Sequence, residues 1–294
     1  IPAGTASLAA GEVMSSQLSP TGRFERIMLA TDGSEFCTDA ELVSLEVTAK
    51  VGGTLLIASV VVTNPAAEVI SPEAIGDAEQ ETRALLNRIY GVAVEKAIAA
   101  ESVFRRGPDP LQEILAAAEE HNADVIVMGR RGKRGLLRRM IGDATSRAVG
   151  TAKCSVLVVP EGATMWRRRI LLATDGSRFS DAAAVAATRL AELCRLPVTV
   201  VSMIRESFNE ERAALAEEAA TRVQSHLRQK NIDADKVVLR GDPDKLILET
   251  AQSREADLIV MGTHGRTGWE CVTVGSVTES VIGASKIPVL AVKA

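Results

Sequence analysis

Ten short strand-like runs, most of them apolar, recur along the chain, separated by longer stretches in which apolar residues return every three or four positions. The short runs lie near 26–31, 54–62, 101–106, 123–129 and 155–159, then near 169–174, 197–203, 235–240, 256–262 and 288–292. They are rich in Val, Ile and Leu without strict alternation. That pattern suits strands buried on both faces of a parallel sheet. The stretches between them predict helices. Leu111, Ile114, Leu115 and Ala118 fall at i, i+3, i+4 and i+7, and Leu215, Ala219, Val223 and Leu227 recur every fourth residue. Ser71-Pro72-Glu73 reads as a helix start, with Ser as the cap and Pro at the first helical position. Alternating strands and helices predict an α/β fold of βαβ units.

The pattern is also duplicated. Arg26-Ile-Met-Leu-Ala-Thr-Asp-Gly-Ser34 returns as Arg169-Ile-Leu-Leu-Ala-Thr-Asp-Gly-Ser177, an offset of 143. Ala123-Asp-Val-Ile-Val-Met-Gly129 returns as Ala256-Asp-Leu-Ile-Val-Met-Gly262, offset by 133. Val156–Val159 matches Val289–Val292. The second copy has therefore lost about ten residues in its middle. Domains are expected at 23–160 and 168–294. The linker Pro160–Arg168 is marked by Pro160, Gly162 and the start of a basic run. Residues 1–22 hold one Glu, no Lys or Arg and no long apolar core. They read as a flexible lead, not a signal peptide, and the initial Ile reads as processing, truncation or an expression vector.

Composition narrows the function classes. The chain has 294 residues, enough for about two domains. With 46% hydrophobic residues it can bury a core. Only 3% are aromatic and the net charge is −4, which disfavours nucleic acid as a partner. Cys37, Cys154, Cys194 and Cys271 form no CxxC pair, so neither a zinc site nor a disulfide framework is expected, and a reducing cytoplasm fits. The longest mainly apolar run, Leu55 to Val62 with Ser59 inside it, is too short to cross a membrane.

Ligands of open α/β sheets bind beyond the carboxyl ends of strands where strand order reverses. Two segments per copy stand at such ends. One is Thr-Asp-Gly-Ser after the first strand, at 31–34 and 174–177. The other is a glycine loop after the fourth, which in copy two has the spacing G-x2-G-x9-G-S from Gly262 through Gly265 and Gly275 to Ser276, with a helix following from about Val277. Glycines let a backbone approach a phosphate, and Gly275-Ser276 opens a helix whose N–H groups and dipole favour an anion.

On these residues both halves resemble universal stress protein domains joined in tandem. The resemblance covers about Phe24 to Ala294 and implies two open parallel five-stranded sheets of order 3-2-1-4-5, flanked by helices and Rossmann-like. One branch of the family binds ATP. Carried onto copy two, the resemblance implies that Asp175 holds the ribose, with Ala173 beside it, and that the backbone near Met203 meets the adenine. It places the phosphates on Gly262, Gly265, Gly275 and Ser276, with Met261, His264, Val277 and Thr278 nearby. In copy one the matching positions are Asp32, Val60, Gly129, Arg130, Arg131, Gly132 and Gly142. The implied cofactor is ATP, alone or with Mg. No residue is assigned to metal or to catalysis. The last strands, Val156–Val159 and Val289–Val292, are expected to pair the two halves, and a homodimer remains open.

The copies differ. Copy one ends its motif in Gly142-Asp143 where copy two has Gly275-Ser276. A carboxylate about 4 Å from a phosphate charge costs up to about 4 kcal/mol at an effective dielectric of about 20. Asp143 could instead cap its own helix. The same loop carries Arg130, Arg131, Lys133, Arg134, Arg138 and Arg139 with no acid among 130–139. It could bind nucleotide by other contacts, bind another anion or an acidic partner, pair with Asp143, or be a solvated basic loop. Copy two is thus expected to be the principal ATP site, and copy one degenerate.

No P-loop and no G-x-S-x-G elbow is present. His121 and His226 read as surface residues of helices. His264 could touch a phosphate, polarise water, or simply pack on the nucleotide. Cys37 and Cys271 read as redox candidates or as small buried hydrophobes. The expectation is an ATP-binding stress-response or signalling protein. The alternatives are a nucleotide-independent tandem scaffold for protein interaction and a slow ATP hydrolase.

Overall fold

A computed structural model describes residues 22–130, 142–205, 209–265 and 274–294. Copy one runs β1 (Arg26–Ala30), α1 (Thr38–Val51), β2 (Thr54–Val62), α2 (Pro65–Ile70), α3 (Pro72–Glu95), β3 (Ala99–Gly107), α4 (Pro110–Glu120), β4 (Val125–Gly129), α5 (Asp143–Thr151) and β5 (Ser155–Val159). Copy two runs β6 (Ile170–Ala173), α6 (Arg178–Cys194), β7 (Val198–Ile204), α7 (Glu210–Gln229), β8 (Ala234–Arg240), α8 (Pro243–Ser253), β9 (Leu258–Gly262), α9 (Ser276–Ala284) and β10 (Val289–Val292). The residues lost from copy two fall where copy one carries α2.

The strands form one ten-stranded sheet of order β3-β2-β1-β4-β5-β10-β9-β6-β7-β8. Each half has the order 3-2-1-4-5 and is parallel throughout. The two halves meet antiparallel, with Val289 opposite Val158, Leu290 opposite Leu157 and Ala291 opposite Val156. Two edges that would otherwise expose unpaired N–H and C=O groups thereby satisfy each other.

Burial on both faces explains the unbroken apolar runs. In β1, Ile27 and Leu29 enter one core cluster, while Met28 and Ala30 enter the other. In β9, Leu258 and Val260 face one way, and Ile259 and Met261 the other. Helices α1, α3, α6 and α7 cover the first face, and α4, α5, α8 and α9 the second. The first cluster passes from copy one to copy two through Leu157, Val159, Leu290 and Val292, and takes in Ala163, Met165 and Trp166 of the linker.

Three helix starts follow their local chemistry, whereas Ser71 before α3 and Asp242 before α8 make no side-chain cap bond. Asp109 caps α4, accepting from the amides of Leu111 at 2.9 Å and Gln112 at 3.4 Å. Ser177 caps α6 through the Ser180 amide, and Asn209 caps α7 through the Arg212 amide. Ser71 precedes α3 as expected, with Pro72 in the first turn, but its side chain makes no capping bond. Its backbone, at φ −141 and ψ 61, lies outside the extended geometry seen at the working caps. Among the described residues no helix is long and apolar enough to cross a membrane.

Candidate functional site

Chain order reverses between β6 and β9. The carboxyl ends of β6, β7 and β9 open there into a cleft of about 400 Å³. All eleven copy-two positions singled out from the sequence line it: Ala173, Asp175, Met203, Met261, Gly262, His264, Gly265, Gly275, Ser276, Val277 and Thr278.

The turn after β6 fixes Asp175. Its Oδ1 accepts from the Ser177 amide at 3.0 Å, while Thr174 Oγ1 accepts from the Gly176 amide at 3.3 Å. Gly176 sits at φ +76, a left-handed conformation that favours glycine. Gly265 lies so close that a Cβ there would stand 2.8 Å from Asp175 Oδ2. Aspartate and loop therefore come together only because position 265 has no side chain.

Helix α9 begins on the opposite wall. Its cap is Gly275, which has no side chain to accept from the first-turn amides. The Gly275 amide itself bonds to the Thr263 carbonyl at 2.9 Å, closing the glycine loop. Helix N–H groups left without a side-chain acceptor, together with the dipole behind them, suit an anionic ligand. His264 is 9% exposed. Its Nδ1 is 3.1 Å from Thr263 Oγ1, and its ring lies 5.2 Å from that of Phe179.

Cleft residues that sequence reasoning missed include Arg205 and Arg212. Arg205 directly follows β7, and Arg212 lies in the first turn of α7. Asn209, followed by two glutamates, was the available signal for that helix start. Asp175 is the one carboxylate among the lining residues, so the described wall carries a cationic excess. The apolar part includes Val201, Met203, Ala216, Pro243, Ile247 and Met261.

Copy one holds its matching residues differently. Asp32 Oδ1 accepts from the Ser34 amide at 3.0 Å and from the Cys37 thiol at 3.3 Å. A Cβ on Gly33 would stand 2.9 Å from Leu85 of α3. Val60 is half-buried on β2 against the second core cluster. Gly129 ends β4 and accepts the Thr145 hydroxyl, as Gly262 accepts that of Thr278.

Arg130, expected near a phosphate, reaches into the other copy, where its Nη1 donates to the carbonyls of Ser285 at 2.8 Å and Gly283 at 3.2 Å. These two carbonyls at the end of α9 draw the guanidinium. Helix α5 starts at Asp143 with Gly142 as its cap, so Asp143 occupies the first helical position, not the cap. Arg131, Gly132 and the remaining cations of that loop lie outside the described residues, as does Cys271.

The cysteine alternative weakens in the same geometry. Cys37 is 4% exposed, and burial first, then the Asp32 charge, push its thiol up. A raised thiol is a poor nucleophile at neutral pH. His121 follows the end of α4 and stands 3.7 Å from Glu101, and His226 is exposed on α7. Neither histidine is among the residues that line the cleft.

The profile of the Universal stress protein family matches residues 23–160 and again 167–293. A universal stress protein of Mycolicibacterium smegmatis is 29% identical over 236 residues, which cover 75% of this chain and 76% of that one. The crystal structure of a universal stress protein from Archaeoglobus fulgidus shares the fold with a TM-score of 0.75 at 22% identity, covering 92% of this chain and 98% of that one. A further universal stress protein from that organism has been solved in complex with dAMP; it is 25% identical, with a TM-score of 0.37 over 43% of this chain and 98% of its own. Matched twice and over nearly its whole length, the chain belongs to the universal stress protein family.

Proposed function

We propose that copy two binds an adenine nucleotide, ATP in the first instance, in the cleft between β6, β7 and β9, and that the protein acts as a nucleotide-dependent stress or signalling module. The observation that carries this is the joining, in one cleft, of Asp175 with a glycine-capped helix start across a side-chain-free approach at Gly265. The pieces fit a nucleotide in order. Asp175 can accept hydrogen bonds from ribose hydroxyls. The apolar wall around Met203 can take a base. The start of α9 suits the phosphates, and Arg205 and Arg212 add positive charge that suits a polyanion.

The described residues of copy one favour an equal site less. Its aspartate is engaged by Cys37, Leu85 lies over its turn, and Arg130 is committed to the far end of α9. In this proposal it is the degenerate partner, and the β5–β10 pairing makes one chain a pseudo-dimer. The cytoplasm is the compartment where ATP would be met.

The test is calorimetric titration of ATP, with and without EDTA, into the full chain and three variants. Gly275→Val and Ser276→Ala are expected to lose affinity, and Gly142→Val to keep it. Two sites of equal affinity, or equal damage from Gly142→Val, would sink the proposal. Absorbance at 260 nm of freshly purified protein gives a first answer on retained nucleotide. Hydrolysis is a secondary reading. It needs phosphate release that scales with protein and disappears in His264→Ala.

A further inference from the structure

Helix α9 has its start on the cleft and its end under the control of the other copy. The helix is nine residues long, so its two ends are about 13 Å apart. At the far end the carbonyls of Gly283 and Ser285 both accept from the Arg130 guanidinium. A cation there satisfies terminal carbonyls and complements the negative end of the dipole. The main chain of the same arginine closes the copy-one loop, because its carbonyl accepts from the Gly142 amide at 3.0 Å. Arg130 therefore belongs to two structures at once.

The arrangement is reciprocal but chemically uneven. Helix α5, the counterpart of α9, ends at Gly150 and Thr151, and the Gly150 carbonyl accepts from Lys293 of copy two at 3.0 Å. A side-by-side tie joins the two helices near their starts, from Ser146 Oγ to Glu279 Oε1 at 3.1 Å. Each helix thus has its end held by a cation from the opposite copy. The position matching Arg130 in copy two is Thr263, whose hydroxyl stays local, 3.1 Å from His264. Among the described residues, only the helix that opens the candidate nucleotide cleft carries the two-bond guanidinium clamp.

We propose that Arg130 is a positioning residue for the phosphate end of the copy-two site, acting across the copy boundary through α9. The proposal rests on copy two being the nucleotide site. Holding Gly283 and Ser285 fixes the axis of a short, stiff helix, and with it the first-turn amides at Ser276, Val277 and Thr278. The proposed base and ribose contacts sit on β6, β7 and the Asp175 turn, away from the α9 end that holds the Arg130 guanidinium. Its loss is therefore expected to act on phosphate recognition and to leave nucleoside recognition alone.

The experiment titrates ATP and adenosine separately into the full chain as wild type, Arg130→Ala, Arg130→Lys and Lys293→Ala. The expected result is a loss of at least about fivefold in ATP affinity for Arg130→Ala with adenosine unchanged. Partial recovery is expected in Arg130→Lys, which can cap one carbonyl but not fork across two. Lys293→Ala removes a comparable cross-copy bond from α5 and is expected to spare ATP binding. Unchanged ATP affinity in Arg130→Ala overturns the proposal. So does an equal fall for ATP and adenosine, or an equal effect from Lys293→Ala, since either marks general loosening. Failure of the wild type to bind ATP removes the nucleotide site itself, and so separates the two claims.

Discussion

Thr278 donates its hydroxyl to the carbonyl oxygen of Gly262 at 2.8 Å, tying the first turn of α9 to the last residue of β9. Copy one repeats the tie between Thr145 and Gly129 at 3.2 Å. Thr278 is 3% exposed, so water cannot replace the bond. Thr278→Val keeps the volume and removes the donor. The expected cost is about 1–3 kcal/mol, read as a lower urea midpoint with an unchanged slope. ATP affinity should fall with it, because the freed helix start carries the amides that line the cleft. A variant as stable as wild type would show that the bond does not hold the helix.

Gly265 and Gly91 make opposite predictions for the same substitution. A Cβ on Gly265 would meet Asp175 Oδ2 at 2.8 Å. Gly265→Ala must push the carboxylate or the loop aside, and ATP affinity should drop by tenfold or more, roughly 1.4 kcal/mol. Gly91 lies within α3, and a Cβ there meets nothing within 4 Å. Gly91→Ala should therefore stabilise the fold by about 0.5–1 kcal/mol, through a smaller loss of backbone freedom on folding, and leave binding untouched. Paired melting and titration of the two variants separates close approach from ordinary helix propensity.

The inner strands were legible because burial on both faces leaves continuous apolar runs, and β2 coincides with the run at 54–62, whereas the edge strands β3 and β8 are only partly buried. The cleft residues were legible because their motifs stand at strand ends, where an open sheet gathers ligand contacts. Three features were not. Arg212 reaches the cleft through the placement of α7, and Arg205 from the end of β7, neither of which any local spacing encodes. The destination of Arg130 lies 153 and 155 residues away in sequence. Glu41, buried in α1, takes the Thr31 hydroxyl and the Arg88 guanidinium, a pairing that depends on how α3 packs. All three are tertiary placements of charged side chains, and apolar periodicity does not report on those.

Cys154 gives the chain an alkaline weakness. It is 7% exposed just before β5, and burial, reinforced by the charges of Asp124 and Glu119, pushes its thiol from an ordinary 9.0 up to about 12. Between those values the folded chain keeps a proton that the unfolded chain has lost. Stability is therefore intact below about pH 9 and falls as the pH rises toward 12, with a limiting slope of about 1.4 kcal/mol per pH unit. Urea melts from pH 8 to 10.5 should show a steeper decline for wild type than for Cys154→Ala. The alanine variant starts lower because of its cavity, so the slopes are compared and not the absolute values. Equal slopes would mean that burial does not hold the proton on this thiol.

Asp109 does two jobs that can be separated by substitution. Its Oδ1 caps α4 through the amides of Leu111 and Gln112, and its Oδ2 takes the Arg147 guanidinium of α5 at 3.1 Å. The Arg147 bond is the largest cause holding the carboxyl below its ordinary value. Both partners of the pair are more than a third exposed, so the ion pair itself contributes little, about 0–1 kcal/mol. The cap is the larger share, about 0.5–2 kcal/mol. Asp109→Asn keeps an acceptor for the helix amides and should lie near wild type at pH 7, while Asp109→Ala should lose the capping energy. Because the folded carboxyl titrates below its unfolded value of about 3.9, its contribution is present above that pH and is lost as the pH falls through the folded value. Acid unfolding should therefore narrow the gap between wild type and Asp109→Asn. If Asn proves as damaging as Ala at neutral pH, the tie to Arg147 outweighs the cap and the ranking is reversed.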